Sequence, residues 1–371
     1  MNLLKKKIAS FETKIFGLDL SDLSVKVFQL ERENNFDKMR AFYSIDIPSG
    51  NIDDGLIINQ EKVAEILKEA IKKAGPQKIN TNKVICSLPE SKVFLRIINI
   101  PKMSQKEAKE AVKWEMEVNI PLPIEDVYFD WQFIEGEKEE ETFTKKLDGS
   151  SRQPILTVAI PKNVVDGIME VLEKAGLEVY GLEVESIASA RSLMDEKNID
   201  FKSASLIVDF GAQRSSFIIM EGDIPFFTVS VPFSSEGINE AITQNMKVDR
   251  KEAEKIKVNN GIAGWEEDNA IFSSVKPLLE NLVNEIEKTI DFYSGMKKPS
   301  MEVKQIILCG GGSNLKGLVE YLNKRLKREI MIGNPWVNLK LEKNKKFLSQ
   351  EDSVRYSTVI GLALGGINYE N

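Results

Sequence analysis

The sequence predicts a two-lobed α/β protein in which each lobe contains a mixed β-sheet flanked by helices. Each half of the chain begins with a strand, an aspartate-containing turn and a second strand, around Asp19 and around Asp209, which indicates an internal duplication. In each half a β-meander is followed by amphipathic helices, a pattern typical of α/β or α+β layers and not of a helical bundle. With 371 residues, the chain is long enough to form two domains.

The first half alternates between the periodicities of strands and helices. Its strands have apolar residues at every second position or in short runs. They are predicted at 17–30 (two strands joined by a polar turn), 42–47, 84–88, 93–100, 127–134, 155–160 and 177–184. Its helices have apolar residues three and four positions apart. They are predicted at 62–73, 104–118, 163–174 and 186–195.

The second half repeats this order of elements. Its strands are predicted at 206–211, 217–220, 226–231, 305–308 and 330–332. Its helices are predicted at 237–246, 250–258, 268–293, 315–328 and 353–366. Proline lacks the backbone N–H of a helix interior, so Pro277 is expected to mark a break in the long third helix.

Two segments of the first half allow more specific predictions. Trp114 lies on the helix at 104–118 together with Ala111 and Val118, so we expect its indole to be buried between that helix and the sheet. The stretch 135–153 is charged, polar and tipped with Gly and Ser, which predicts a hairpin loop or a flexible excursion.

The composition excludes several classes of chemistry. The chain contains no histidine, which excludes Ser-His-Asp and Cys-His catalysis and every histidine-ligated metal site. Its two cysteines, Cys86 and Cys309, lie in apolar strand-like runs and are expected to be buried thiols of a cytoplasmic protein. The net charge of −7 argues against a protein that binds nucleic acid by neutralising phosphates. No apolar run approaches the ~20 residues that span a bilayer.

Three polar loops follow predicted strands. The first runs from Asp19 to Lys26, the second from Asp209 to Ser216, and the third is the glycine-rich segment Gly310-Gly311-Gly312-Ser313-Asn314. An aspartate at the end of a strand can hold hydrated Mg²⁺ while backbone N–H groups of the next turn face phosphate oxygens. A glycine run before a helix lets a flat or anionic ligand approach the backbone closely. Each loop alone also occurs in ordinary hairpins, so their combination and order indicate a nucleotide site.

These loops resemble the motifs of the actin/Hsp70/hexokinase ATPase superfamily, whose aspartate loops are the two phosphate motifs and whose glycine run is the adenosine motif. Within that superfamily the chain is similar to the PilM family of actin-like type IV pilus assembly proteins. The closer resemblance extends from about Gly17 to Ile367. It rests on further segments, among them Ser87-Leu88-Pro89, Ala111-Val112-Lys113-Trp114-Glu115, Glu183-Val184-Glu185-Ser186 and Gly333-Asn334-Pro335-Trp336.

The resemblance implies an actin-like (RNase H-like) ATPase fold with a nucleotide cleft between its lobes. Residues 1–16 would form a flexible N-terminal segment. Residues 17–200 would form the first lobe, with an inserted subdomain at about 80–179, and residues 201–371 would form the second lobe. A small helical subdomain at about 237–296 would belong to the second lobe.

The resemblance also assigns roles to individual residues. Asp19 and Asp209 would hold Mg²⁺, Lys26 would reach the nucleotide phosphates, and Glu185 would orient the attacking water. The other residues would bind the nucleotide. They are Ser21 in the first loop, Gly211 and Ser215 in the second, Glu254 and Lys257 at the ribose and adenine edge, and Gly310, Gly311, Gly312 and Ser313 over the purine.

The first loop departs from the family pattern. The family has glycine two positions after the aspartate and then small hydroxyl residues, whereas this chain has Ser21, Asp22 and Leu23. Asp22 would place a carboxylate near the β- and γ-phosphates, where like charges repel, and leucine supplies no side-chain donor. We therefore expect the chain to retain ATP binding more readily than fast ATP hydrolysis. At most it would be a slow ATPase. A degenerate site kept for its shape is the alternative.

The function implied by the resemblance is that of a cytoplasmic adaptor. It would bind ATP and Mg²⁺, dock the N-terminal cytoplasmic peptide of the inner-membrane protein PilN, and link that membrane platform to the pilus motor ATPases. Two alternatives use the same fold. A small-molecule kinase would need a substrate pocket with a positioned acid. A filament protein of the FtsA or MreB kind would self-associate, and the FtsA kind carries a C-terminal membrane helix, whereas this sequence stops at Asn371 directly after its last predicted helix.

Overall fold

A computed structural model describes residues 14–33, 36–134, 152–265, 269–296, 301–341 and 348–368. Most of the predicted N-terminal segment 1–16 and of the predicted loop 135–153 lies outside these residues. The strands in chain order are β1 (Phe16–Ser21), β2 (Ser24–Glu33), β3 (Phe36–Asp46), β4 (Ile52–Asp53), β5 (Leu56–Ile57), β6 (Gly75–Pro76), β7 (Lys83–Leu88), β8 (Phe94–Pro101), β9 (Val127–Phe133), β10 (Arg152–Pro161), β11 (Glu178–Val184), β12 (Ala204–Phe210), β13 (Ser215–Glu221), β14 (Ile224–Val231), β15 (Val303–Cys309) and β16 (Glu329–Ile332).

The helices agree with most of the predicted spans to within a few residues. They are α1 (Gln60–Lys73), α2 (Gln105–Asn119), α3 (Lys162–Lys174), α4 (Glu185–Leu193), α5 (Ser235–Met246), α6 (Arg250–Asn259), α7 (Ala270–Met296), α8 (Leu318–Leu326), α9 (Gln350–Ser353) and α10 (Ser357–Asn368). No helix in the described part of the chain is long and apolar enough to cross a membrane.

Two mixed sheets confirm the predicted fold class and its duplication. The 6-stranded sheet has the order β11-β7-β1-β2-β3-β6, and the 8-stranded sheet has the order β16-β15-β12-β13-β14-β8-β10-β9. In both, the first strand of the meander is antiparallel to the second and parallel to its other neighbour. The two halves therefore repeat one five-strand arrangement, with Asp19 on β1 and Asp209 on β12 in corresponding places.

The strands between residues 94 and 161 extend the sheet of the second half. β8 pairs with β14 at Arg96 and Phe227, and β10 and β9 follow in antiparallel order. In contrast, β7 and β11, at the two ends of the predicted insertion 80–179, belong to the first sheet. The segment between them therefore connects the two sheets, and the boundaries of the predicted domains stay a prediction.

Helices α4 and α10 lie between the two sheets. In α4, Ala188 packs with Ile85 of the first sheet, while Leu193 packs with Ile207 of the second. In α10, Val359 packs on the face of the first sheet that carries Phe28. The outer faces of the sheets are covered by α1 and α3 on one side of the molecule and by α7 on the other. The packing of α4 and α10, two short helices rich in small residues, thus sets how the two sheets are placed relative to each other.

The expected burial of Trp114 was wrong. The indole is 68% exposed and Val118 is 83% exposed. The buried positions of α2 are instead Ala108, Val112 and Met116, four residues apart along one face. Because residues two positions apart on a helix differ in direction by roughly 200°, a face through Val112 directs Trp114 away from the sheet.

Pro277 does not break the long helix as expected. Helix α7 continues through it from Ala270 to Met296. Its buried residues lie on both sides of the proline, and Val275 and Leu279 are fully buried in the core of the second half. The apolar burial on each side offsets the loss of one backbone hydrogen bond.

Replacing Gly361 by alanine should destabilise the protein through the contact between α10 and α4. An added Cβ would lie 1.7 Å from the carbonyl oxygen of Ala188, and a helix backbone cannot move away without shifting the whole element. Overpacking of this kind costs about 1–3 kcal/mol of unfolding free energy. Chemical denaturation of both proteins measures the difference.

Gly295→Ala is the matched control, since an added Cβ on this α7 residue meets no atom within 4 Å. It should be neutral or stabilise by at most about 1 kcal/mol, because alanine has the higher helix propensity. Equal midpoints for Gly361→Ala and the unmodified protein would contradict the close packing of these two helices.

Candidate functional site

A cavity of about 1210 Å³ lies where the two halves of the fold meet. Its walls include the β1–β2 turn, the β12–β13 turn, the turn that follows β15, and residues of α5 and α6. Both aspartate loops and the glycine run of the sequence therefore open onto one cavity. The duplication produces this arrangement, because equivalent turns from the two sheets face the same space.

Lys26 provides a positive charge at the base of this cavity. It lies opposite Asp19 across the β1–β2 pair, and its Nζ is 2.8 Å from Asp19 Oδ2. The Ser87 hydroxyl donates to the other oxygen of Asp19 at 3.2 Å. Burial lowers the pKa of Lys26, but the charge and hydrogen bond of Asp19, followed by the charges of Asp209 and Glu185, outweigh burial and raise that pKa. Lys26 therefore stays charged at neutral pH.

Buried carboxyl groups surround this ammonium group. Burial raises the pKa of Asp209, the charge of Asp19 adds to the rise, and Lys26 opposes it. Burial also raises the pKa of Glu185 well above its ordinary value, with further contributions from Asp19, Glu90 and Asp209. Asp19, Asp209 and Glu185 thus lie around the Lys26 ammonium, and Glu90 lies close to Glu185 and Asp209. This arrangement favours the binding of a further cation.

Glu90 is one of these acids, and sequence analysis missed it. It begins a short 3-10 turn after β7 and is 5% exposed. Its backbone N–H donates to Glu185 Oε2 at 3.4 Å, while both of its own carboxyl oxygens are buried with no well-formed hydrogen bond among the described residues. Burial raises the pKa of Glu90 and the charge of Asp209 adds to the rise, while the neighbouring Ser186 and Thr228 oppose it. The preceding Leu88-Pro89 contains no motif that would mark the following glutamate as a site residue.

Glycine is required at two positions beside Asp209. Gly310 has a positive φ of 77°, and an added Cβ would lie 2.2 Å from Asp209 Oδ1. At Gly211 an added Cβ would lie 2.4 Å from the carbonyl oxygen of Arg214. The two turns therefore pack against Asp209 and Arg214 more closely than a residue with a Cβ would allow.

The far end of the cavity is lined by α5 and α6. Glu254 and Lys257 lie about one turn apart on α6 and form an ion pair at 2.8 Å. Lys257 also donates to the Ser235 hydroxyl at 2.8 Å, and the amide of Asn239 donates to Glu254 at 2.6 Å. Asn239 was not predicted, because the sequence of α5 has no motif around it. This end thus offers fixed donors and acceptors to a polar ligand.

Most of the predicted site residues line the cavity. They are Asp19, Ser21, Lys26, Glu185, Asp209, Gly211, Glu254, Lys257, Gly310, Gly311 and Gly312. Ser215 and Ser313 do not, because their buried hydroxyls donate to the carbonyl oxygens of Phe233 and Gly310, each at 2.7 Å. Since side chains alternate along a strand, Ser216 lines the cavity in place of Ser215.

These features define a class of protein, the actin-like α/β proteins. The chain shares its fold with two solved structures. One is MreB5 of Spiroplasma citri bound to AMPPNP, with 13% identity and a TM-score of 0.50 over 95% of this chain and 96% of that one. The other is the ethanolamine utilization protein EutJ of Carboxydothermus hydrogenoformans, with 15% identity and a TM-score of 0.55 over 94% of this chain and 88% of that one.

The chain belongs to the family described as type IV pilus assembly protein PilM, whose sequence profile matches residues 17–367. It is similar to the solved PilM-PilN type IV pilus biogenesis complex, with a TM-score of 0.80 and 25% identity over 96% of this chain and 99% of that one. It is also 21% identical over 347 residues to the cell division protein FtsA of Streptococcus pneumoniae, covering 82% of this chain and 72% of FtsA. The predicted family resemblance is confirmed.

Replacing Glu90 by glutamine should reduce the dependence of stability on pH. A carboxyl group with a raised folded-state pKa stabilises the fold while it is protonated, below its unfolded value of about 4.5, and this contribution is lost as the pH rises through the raised pKa. Glu90→Gln should therefore raise the thermal midpoint near neutral pH, by the equivalent of about 1 kcal/mol or more, and change it little near pH 4.5.

Thermal unfolding across this pH range, followed by circular dichroism, measures the effect. Glu125→Gln removes an exposed carboxyl group outside the cavity and serves as the control. If Glu90→Gln and Glu125→Gln shift the midpoint equally at neutral pH, the ionised Glu90 does not destabilise the fold.

Proposed function

We propose that this protein is a cytoplasmic adaptor of type IV pilus assembly that binds ATP with Mg²⁺ between its lobes and docks the N-terminal peptide of a PilN-like inner-membrane protein. The observation that carries the nucleotide part is the convergence of Asp19, Lys26, Asp209 and Gly310 on one cavity. The similarity to the PilM-PilN complex supports the partner part. Contact with the membrane would then be indirect, through that partner.

The donor set of the cavity fits a magnesium nucleotide. Mg²⁺ keeps several waters and takes few protein ligands, one or two carboxylates together with phosphate oxygens. This agrees with Asp19 and Asp209 as its ligands, and among the described residues no three His, Cys, Asp or Glu side chains form a metal-binding group of their own. When bound, the metal would neutralise phosphate charge. Its two positive charges would also offset the excess of carboxylates around Lys26.

The chain's own groups would hold and orient the nucleotide. Lys26 would contact the phosphates from the base of the cavity, and Gly310 would let a purine or phosphate lie against the backbone. Glu254 and Lys257 would take the ribose and the edge of the base. Glu185 would orient a water toward the terminal phosphate.

Hydrolysis is expected to be slow. Stabilising the charge that develops on the transferred phosphoryl group requires preorganised donors at that point. Leu23 supplies no side-chain donor in the β1–β2 turn, and Asp22 adds a carboxylate there. The role of the nucleotide would therefore be to hold a conformation and not to undergo rapid turnover.

The sheet edges offer a physical mode for peptide docking. β11 ends the 6-stranded sheet and β9 ends the 8-stranded sheet. An extended peptide can add to such an edge through main-chain hydrogen bonds, while alternate side chains enter pockets and give specificity. Self-association and contact with motor ATPases stay predictions.

Calorimetric titration with Mg²⁺ and ATP tests the nucleotide part. The unmodified protein should show saturable binding. Asp209→Ala should weaken it by at least about tenfold, because it removes a carboxylate that faces the metal position beside Lys26.

Asp223→Ala, in the exposed β13–β14 turn, is the control for loss of an acid from the same half and should leave the affinity unchanged. A folded protein that gives no binding heat would overturn the nucleotide part. The protein would then be an adaptor that has the actin-like fold but binds no nucleotide.

Fluorescence anisotropy with a labelled peptide tests the partner part. The peptide should carry the N-terminal cytoplasmic sequence of the PilN-like protein from the same organism. We expect saturable binding, since the chain resembles the PilM-PilN complex over 96% of its length. A peptide of the same composition in scrambled order is the control, and equal affinity for the two peptides would show that the docking proposal is wrong.

A further inference from the structure

The two sheets present equivalent rows of residues to the cavity. Each row crosses three neighbouring strands, from the strand that carries the aspartate to the two strands that follow it in the meander. The first row consists of Asp19, Lys26 and Ser44, and the second row consists of Asp209, Ser216 and Ser230. The first row therefore has a cation in its middle position, where the second row has a serine.

Arg214 brings a cation to the second row. It is the last residue of the turn between β12 and β13, and it lines the cavity. Its Nε donates to Ser230 Oγ at 2.8 Å, and its Nη2 donates to the carbonyl oxygen of Ser230 at 3.2 Å. Because Ser230 lies two strands from Asp209, the guanidinium group is held about 10 Å across the sheet from that aspartate.

The turn that carries Arg214 is fixed to its own half. The carbonyl oxygens of Gly211 and Ala212 accept hydrogen bonds from the backbone N–H groups of the first two residues of α5, at 3.1 and 3.0 Å. The carbonyl oxygen of Arg214 packs against Gly211, where an added Cβ would lie 2.4 Å away. The guanidinium group therefore belongs to an anchored part of the cavity wall.

Arg214 has no carboxylate partner among the described residues, since both of its hydrogen bonds there go to Ser230. Its side chain is exposed, and a guanidinium group has further N–H donors that can reach a ligand. Three other described cations of the cavity form ion pairs with acids, namely Lys26, Arg250 and Lys257. Lys316 and Arg355 lie next to the glycine turn, at the purine end of the proposed site. Arg214 is thus the described cation without an acid partner on the side of the aspartate turns.

An acid of the first half lies within electrostatic reach of Arg214 but has another partner. Burial raises the pKa of Asp54, the hydrogen bond and charge of Lys92 act against burial and lower it, and the charge of Arg214 adds to the lowering. Asp54 forms its ion pair with Lys92, at 2.5 Å. The neighbouring Asp22 accepts a hydrogen bond on Oδ1 from the backbone N–H of Gly55 at 2.9 Å. Both carboxylates are therefore held by groups of the first half, and Arg214 stays available to a ligand.

We propose that Arg214 binds the phosphate groups of the nucleotide, so that the ligand contacts one cation from each half of the fold. This inference rests on the proposed nucleotide site and adds a residue to it. Asp209, a proposed Mg²⁺ ligand, belongs to the same row as Ser230, which places Arg214 on the side of the cavity where the phosphate contacts are proposed.

The charge of Arg214 differs in its availability from that of Lys26. Asp19 already offsets the Lys26 ammonium, whereas no described acid pairs with the Arg214 guanidinium. A planar guanidinium group also donates two parallel hydrogen bonds to phosphate oxygens, which an ammonium group does not. In a cavity rich in carboxylates, this positive charge reduces the repulsion that a polyanion would otherwise meet.

Calorimetric titration with Mg²⁺ and ATP tests this role with two variants of Arg214. Arg214→Gln removes the charge and should weaken ATP binding by at least about tenfold, the loss expected for one hydrogen bond to a charged group. Arg214→Lys keeps the charge but lacks the planar fork that holds Ser230. It should bind ATP within about threefold of the unmodified protein, because the phosphates still meet a cation.

Arg325→Gln is the matched control, since it makes the same change at an exposed arginine of the second half that does not line the cavity. It should leave the affinity for ATP within about twofold of the unmodified value, because salt screens a distant exposed charge. Thermal unfolding without nucleotide shows whether each variant is folded. Arg214→Met is a second uncharged variant, for use should Arg214→Gln fail to fold.

Two results would overturn this inference and leave the nucleotide site in place. In the first, Arg214→Gln binds ATP as tightly as the unmodified protein does. In the second, Arg214→Lys and Arg214→Gln weaken ATP binding equally, which would show that Arg214 acts by holding Ser230 and not by contacting phosphate. Absence of ATP binding by the folded, unmodified protein would instead overturn the nucleotide site itself, and this role of Arg214 with it.

Discussion

The ion pair of Lys26 with Asp19 is the interaction on which the rest of the site depends. Its two side chains are only 17% and 7% exposed, and Asp209, Glu185 and Glu90 lie around them. A buried charge without a partner costs several kcal/mol, so the acids of the two halves can be brought together only because this ammonium lies among them. Under the proposed function, a divalent cation bound together with a nucleotide would neutralise the remaining excess of carboxylates.

A second constraint is the close approach of backbones around the cavity. Gly361 lets α10 lie against α4, and Gly310 lets the turn after β15 lie against Asp209. The first contact joins helices from the two halves of the chain, the second joins the neighbouring strands β12 and β15 of one sheet, and neither leaves room for a Cβ. The geometry of the cavity thus depends on residues that contribute no functional group, and a side chain at either glycine would separate the elements that line it.

Much of the fold was predictable from local sequence. The strands follow the two-residue period, most of the helices follow the 3.6-residue period, and the two aspartate turns revealed the duplication. The errors arose where an element's partner decides its orientation. Trp114 is apolar and lies on an amphipathic helix, but the face of α2 that packs on the sheet is defined by Val112 and Met116. Pro277 lies inside a helix whose burial on both sides outweighs the local cost.

The sequence by itself determined the kinds of residue in the site and their order along the chain, because an aspartate before a turn and a glycine run before a helix are local signals. Only the tertiary structure decided that Glu90 joins the acids beside Lys26, that Ser216 and not Ser215 lines the cavity, and that Asp22 is anchored by Gly55. Burial, charge and hydrogen bonding at these positions come from residues far apart in sequence. Such contacts leave no trace in local periodicity, so they became visible only when the two halves were placed around one cavity.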